Sequence, residues 1–170
     1  MTVAEFSLRR LDDALAEIAC GWARTPSEVA MFAGPSLWFP LDAAQFARVT
    51  VEQDRHPWVL LLAGVPVAMG SVQFMGDSAR LGWVLTDPAR RGHGYGRKIV
   101  TELLSLATVD PQVTRITLGV YRDNTAARSL YADLGFVDTG ARRYSEVDGL
   151  TWESLDLELA LPGRSGAVQQ

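Results

Sequence analysis

Between Pro88 and Lys98 the chain reads PARRGHGYGRK, with four cations, Arg90, Arg91, Arg97 and Lys98, three alternating glycines, Gly92, Gly94 and Gly96, and no acidic residue. Glycines at the entrance of a helix let the unpaired backbone N–H groups of its first turn point at an anion, with the positive end of the helix dipole behind them. Cationic side chains beside those groups strengthen the hold on phosphate. The dinucleotide fingerprint does not fit, because it needs Gly-x-Gly-x-x-Gly and a later acidic residue for a ribose. The phosphate loop of nucleotide hydrolases fails too, since Lys98 stands between Arg97 and Ile99 and not within Gly-Lys-Ser/Thr. A merely tight connection is the bland reading, and three glycines beside four cations favour the anion site over it. His93 reads as a loop residue facing solvent.

A second block, Leu118-Gly-Val-Tyr-Arg-Asp-Asn124-Thr-Ala-Ala-Arg-Ser-Leu-Tyr131-Ala-Asp-Leu-Gly135-Phe136, contains a helix start at Asp123 or Asn124 and a Gly135 stop. Read by itself, Tyr131 shares an apolar helical stripe with Ala127, Leu130 and Leu134 and belongs to the core. Asn124 is at minimum a cap. Together the two blocks change that reading. Arg91-Gly92-His93-Gly94-Tyr95-Gly96 resembles the Arg/Gln-x-x-Gly-x-Gly/Ala signature of the Gcn5-related N-acetyltransferases, and the second block resembles that family's later strand and helix, in the expected order and at a typical separation. The resemblance covers Thr2 to about Leu161.

The resemblance implies acetyl-CoA as cosubstrate, with its anionic end on the backbone of Gly92, His93, Gly94, Tyr95, Gly96 and Arg97, assisted by Arg91, Arg97 or Lys98. It implies that the pantetheine arm pairs like an added strand beside a bulge in the fourth strand, near Val84, Leu85 and Thr86. It assigns Asn124 to the cofactor arm and Tyr131, seven positions later, to the acid that stabilises the departing thiolate. Several relatives carry a basic glutamate on the fifth strand, five positions before the asparagine, and here that position is Gly119. Tyr121, on the same strand face, and Glu146, on the last hairpin, are the substitutes the sequence offers. Lacking an evident base, the chain suits weakly basic amines: at pH 7 an α-amine is neutral in about 14% of molecules and a lysine amine in about 0.04%. The expected activity is acetyl transfer to a primary amine, small molecule or peptide, by direct attack in a ternary complex. The Gly119 departure keeps open a non-catalytic acyl-CoA-binding module, and transfer of a longer acyl group is a further alternative. Homodimers recur in the family.

The elements that must position these residues follow from pattern. Thr2 to Leu8 suits a first strand, and Leu11, Leu15, Ile18, Ala19 and Trp22 follow at helical spacing, with Cys20 on the apolar side as a small buried hydrophobe. Thr25-Pro26-Ser27-Glu28 has the form of a capping box that opens a second helix, which Gly34-Pro35 ends. Trp38 and Phe39 lie in the loop that follows, as lining of an acceptor pocket or satellite core, and a third helix from Asp42 carries Phe46 and Val49 inward. Trp58 to Leu62, Val65 to Phe74 and Leu81 to Thr86 read as an antiparallel meander, with Trp83 packed in the sheet. A helix bearing Ile99, Val100, Leu103, Leu104 and Ala107 comes next, then a strand with Ile116, Leu118 and Val120, the Asn124 helix, and two strands around Asp148-Gly149. The fold class is α/β of the α+β type, a mixed and mainly antiparallel central sheet of about seven strands flanked by helices, as in the acetyltransferase family. Residues 1–161 form the one catalytic domain expected, and 162–170 a flexible tail.

Composition narrows the chemistry further. At 170 residues, 48% hydrophobic and 21% charged, the chain can bury a core without disulfide or metal. One cysteine and two distant histidines, His56 and His93, argue against a metal centre. No apolar run approaches the roughly 20 residues of a membrane span, and no basic region precedes an apolar stretch at Met1, so a cytoplasmic location is expected. A net charge of −4 argues against nucleic acid and anionic membrane as partners, and favours cationic acceptors without choosing among them.

Overall fold

A computed structural model describes residues 5–164. The elements are β1 (Phe6–Arg10), α1 (Asp13–Cys20), α2 (Pro26–Ala33), α3 (Ala43–Glu52), β2 (Arg55–Leu62), β3 (Val65–Met75), β4 (Ser78–Thr86), α4 (Tyr95–Ala107), β5 (Arg115–Tyr121), α5 (Thr125–Asp133), β6 (Val137–Val147) and β7 (Leu150–Ala160). The strands form one seven-stranded sheet in the order β1-β2-β3-β4-β5-β7-β6. All neighbours are antiparallel except β4 and β5, which α4 connects as a parallel crossover. β1 starts at Phe6 and continues to Arg10; the expected strand positions 2–4 lie outside the described residues.

Side-chain alternation sends each strand's apolar residues to two cores. Leu60, Ala79, Leu81, Ile116, Leu118 and Val120 pack under α4 and α5 with Ile99, Val100, Leu103 and Tyr131. Val59, Leu61, Met69, Trp83 and Leu85 pack on the opposite face under α1, α2 and α3 with Leu15, Ala19, Val29 and Phe46. Ile18 departs from its expected place and is exposed, because the buried stripe of α1 runs through Leu15, Ala16 and Ala19. Gly70 lets α4 lie against β3: a Cβ there would stand 2.6 Å from Leu103 Cδ1.

The caps read from sequence form with local differences. Thr25 Oγ1 accepts from Glu28 N at 3.1 Å, while the Glu28 carboxylate closes the box one residue upstream, accepting from Arg24 N at 2.6 Å. Asp42 caps α3 through Gln45 N, and Asn124, the alternative that wins over Asp123, caps α5 through Ala127 N at 3.3 Å. Asp148 and Gly149 turn the last hairpin with φ of 51° and 75°. The tail expected from Pro162 is held at its start, since Arg164 donates to the carbonyls of Thr108 (2.9 Å) and Asp110 (3.1 Å) beyond the end of α4; residues 165–170 are outside the described ones.

Candidate active site

β4 and β5 pair only from Ser78–Arg80 to Arg115–Thr117. Beyond that point they diverge, and the edge of β4 that faces β5 stays open from Leu81 on. The divergence accompanies a bulge: Ser71 pairs with Gly82 and Met69 with Leu85, so Trp83 and Val84 oppose Gly70 alone. The extra residue shifts the alternation by one. Leu81 therefore faces α4, whereas Trp83 and Leu85 face α1–α3. Trp83 holds a φ of +55°, strained for a bulky side chain, and its surroundings enforce it: Nε1 donates to Ser36 Oγ at 2.9 Å, and Phe46 packs edge-on at 5.6 Å. The bulge that the resemblance places near Val84, Leu85 and Thr86 is thus centred on Trp83 and Val84.

The gap between the diverging strands is a cleft of about 660 Å³. At one end lies the glycine turn. Gly92 and Gly94 both have φ of +80°, and Gly94 is the α4 N-cap with no side-chain hydrogen bond, so the first-turn N–H groups of Tyr95, Gly96 and Arg97 are free to point outward. Gly96 packs close to Thr86: a Cβ there would be 3.6 Å from Thr86 Oγ1. Val84, Leu85, Thr86, Arg91, Gly92, Gly94, Tyr95, Gly96, Arg97, Asn124 and Tyr131, named from sequence, all line this cleft. His93 does not; its Nδ1 sits against the Arg90 and Arg91 carbonyls and its ring stacks on Tyr95 at 5.7 Å.

The four cations of the turn differ once the fold is complete. Arg97 pairs with Asp133 at 2.7 Å, Lys98 with Glu102 at 2.5 Å and Arg90 with Asp87 at 3.4 Å. Only Arg91 lacks a carboxylate partner among the described residues.

Tyr131, on α5, is 6% exposed and packs edge-on to Phe136 at 5.8 Å. Burial pushes its phenol up to about 12, so the O–H keeps its proton throughout the neutral range. Its hydroxyl makes no side-chain hydrogen bond among the described residues and is not sealed from solvent, so it opens onto the cleft as a donor.

Neither expected substitute for a base is in the wall of the cleft itself. Glu146 accepts from Thr151 Oγ1 at 2.6 Å and borders a separate depression with Trp38, Phe39 and Tyr121. Tyr121 packs edge-on to Trp152 at 5.0 Å and, though outside the cleft wall, lines the adjoining chamber together with Gly119. Trp38 and Phe39 are exposed and away from the cleft, so they neither line it nor form core; Arg48 covers the Trp38 ring at 4.6 Å. Position 119 is instead filled from a neighbouring strand. A Cβ on Gly119 would be 3.1 Å from Arg80 Nη2, and that guanidinium is held at 3.0 Å by Asp156, the cross-strand partner of Gly119.

On the α1–α3 side the cleft opens into a second chamber of about 470 Å³. Met31, Phe32, Gly82, Trp83 and Gly119 belong to both walls. Arg55, Arg80, Gln73 and Arg143 line the chamber alone, and none of these was singled out from sequence, because only strand register brings them together. Arg55 is 9% exposed, its Nη1 would be 2.8 Å from a Cβ at Gly82, and its plane lies over Trp83 at 5.0 Å. Burial, with a smaller effect from nearby Arg80, lowers its pKa to about 10, still charged at neutral pH. Among the described residues no group of three or more His, Cys, Asp or Glu could hold a metal ion, and no helix is long and apolar enough to cross a membrane.

The sequence model of the Acetyltransferase (GNAT) family matches residues 19–136. The chain is 36% identical over 142 residues to mycothiol acetyltransferase of Kineococcus radiotolerans, covering 74% of this chain and 46% of that protein, so it spans less than half of that relative. It is 31% identical over 127 residues to N-alpha-acetyltransferase RimI of Mycobacterium tuberculosis, covering 72% of this chain and 76% of that one. In fold it is similar to the spermidine N-acetyltransferase of Vibrio cholerae in complex with CoA and spermine (TM-score 0.73, 15% identity, 91% of this chain and 95% of that chain). It is similar as well to the ribosomal-protein-S18-alanine N-acetyltransferase of Escherichia coli (TM-score 0.70, 21% identity, 98% and 100%). A Salmonella typhimurium protein of the same fold was solved with its cofactor acetyl-CoA (TM-score 0.70, 17% identity, 96% and 99%).

Proposed function

Since the chain belongs to the Acetyltransferase (GNAT) family, we propose that it transfers an acetyl group from acetyl-CoA to a primary amine by direct attack in a ternary complex. The observation that carries the proposal is the cleft itself, which joins an uncapped helix N-terminus, an open strand edge and a protonated buried phenol. The free N–H groups of Tyr95, Gly96 and Arg97, with Arg91, suit the pyrophosphate. The open edge of β4 from Gly82 to Thr86 suits the amide-bearing pantetheine arm, which gains strand-like hydrogen bonds there. Asn124 borders the arm while it caps α5.

The neutral amine attacks the thioester carbonyl, a C–N bond forms, and the C–S bond breaks to release CoA as thiolate. A backbone N–H at the β4 bulge polarises the carbonyl oxygen, and the Tyr131 O–H stabilises the sulfur as charge develops on it. Position 119 offers no carboxylate, so the proton lost from nitrogen passes to solvent and not to a side chain at that place. That arrangement favours acceptors with an appreciable neutral fraction at pH 7, such as α-amines. The test is thiol release from acetyl-CoA across a panel of primary amines. Turnover on at least one is the expected outcome; tight acetyl-CoA binding with no turnover on any would replace the proposal by an acyl-CoA-binding module, to which Gly119 already points.

A further inference from the structure

The second chamber carries charge that the cofactor does not use. Acetyl-CoA's phosphates belong at the α4 turn, and neither Arg55 nor Arg80 lines the cleft wall beside that turn. Arg55 is buried with only neutral oxygens as partners: Nε faces Gln53 Oε1 at 3.3 Å, Nη1 faces Ser71 Oγ at 3.1 Å and Nη2 faces Gln73 Oε1 at 3.2 Å. These orient the guanidinium without neutralising it. A buried charge with no counter-ion is costly, and the cost rises when a second cation stands near. Arg80 is that cation, and its one carboxylate, Asp156, must also serve Arg143 at 4.0 Å. Three guanidiniums thus border the chamber with a single carboxylate between them, in a protein whose net charge is −4. Gly82 and Gly119 leave out the side chains that would collide with Arg55 and Arg80, so the backbone makes room for both cations at the junction of chamber and cleft.

We propose that this chamber binds the oxyanion of the acceptor, so that the substrate is a primary amine carrying a carboxylate or phosphate a few bonds from its nitrogen, with Arg55 and Arg80 setting that specificity. The proposal rests on the acetyltransferase reading above and names its substrate class. The anion supplies the counter-charge that Arg55 lacks, and the tethered amine then lies toward Gly119 and the β4 bulge, where both walls meet. This reverses the expectation of cationic acceptors that net charge suggests, because recognition follows the local field in the chamber and not the molecular total.

Matched amines decide it: glycylglycine against glycylglycine amide, and O-phosphoethanolamine against ethanolamine, each measured by thiol release and by calorimetric titration into protein saturated with CoA. In the wild type at least one anionic member is expected to exceed its neutral partner about tenfold or more in kcat/KM and in affinity. In Arg55→Met and in Arg80→Gln the preference is expected to fall below about threefold while acetyl-CoA affinity holds within about threefold. Thermal unfolding checks each variant, and if Arg55→Met does not fold, Arg80→Gln carries the comparison. Equal or better use of the neutral members, or a preference that survives in the folded variants, overturns the proposal and leaves the acetyltransferase reading intact. If no amine turns over, the acetyltransferase reading fails and the titration still decides the chamber: selective binding of the anionic members, lost in the variants, supports an oxyanion site, and its absence refutes one. Preference for only the carboxylate or only the phosphate member identifies the source of the oxyanion.

Discussion

Replacing Tyr131 by phenylalanine isolates one hydroxyl at the cleft. The ring keeps its edge-on contact with Phe136, and the hydroxyl makes no side-chain hydrogen bond among the described residues, so the variant is expected to unfold within about 2 °C of the wild type. The catalytic effect follows from the phenol's acidity. Burial holds it at about 12, against about 8.5 for a thiol, so complete proton transfer to the thiolate is uphill by about 5 kcal/mol. On the proposed function, the role left to Tyr131 is therefore that of a hydrogen-bond donor to sulfur as negative charge builds. A hydrogen bond to a charged group contributes about 1.5–3 kcal/mol, or about 10- to 150-fold in kcat. The ground-state thioester sulfur is uncharged and accepts poorly, so the KM for acetyl-CoA should change by less than about threefold. Because the folded phenol titrates near 12 and the unfolded one near 10, stability associated with this group is full below about pH 10 and declines as pH rises toward 12. That alkaline decline should be absent from Tyr131→Phe. Single-turnover thiol release with a saturating amine, followed from pH 6 to 10, reads the chemical step. A fall in kcat of less than about threefold, or an alkaline limb near pH 9 that disappears in the variant, would refute this account of Tyr131.

Gly70→Ala puts a methyl group 2.6 Å from Leu103 Cδ1 and should cost about 1–3 kcal/mol, lowering Tm by roughly 2–10 °C in a calorimetric scan; an unchanged Tm contradicts the close seat of α4 on β3. Arg91→Gln should weaken acetyl-CoA binding more than Arg97→Gln, whose charge Asp133 already offsets, and should flatten its salt dependence; titration at low and high ionic strength measures both. Gly94→Ala must hold a φ of +80° with a Cβ, at about 1 kcal/mol, so Tm should fall by roughly 2–4 °C in the same calorimetric scan. Cys20 is pushed up to about 11, chiefly by burial and then by Glu17, which leaves about 0.1% thiolate at pH 8; a disulfide reagent should label it at least 100-fold more slowly, by rough estimate, than free glutathione until the protein is denatured.

Local chemistry was legible wherever residues close in sequence act together. The caps at Thr25, Asp42 and Asn124 form, the Asp148-Gly149 turn closes its hairpin, and the alternating glycines open α4 with free N–H groups. Strand alternation and helix spacing, with the two motif blocks, were enough for the mixed sheet and the family. The pairing of the turn's cations was not legible, because Asp133 lies 36 residues beyond Arg97 and meets it only across two helices. The same limit hid the second chamber. Arg55, Arg80 and Gly119 come from β2, β4 and β5, and no spacing rule links them; cross-strand register and the Trp83 bulge decide which side chains share a face. By itself the sequence determined the family, and it put the glycine turn and Tyr131 on elements that border one cleft, since these rest on contiguous motifs. Only the tertiary structure decided what fills the place of the missing glutamate and where the unpaired charge lies, because electrostatic energy depends on distances in space that a linear pattern does not contain.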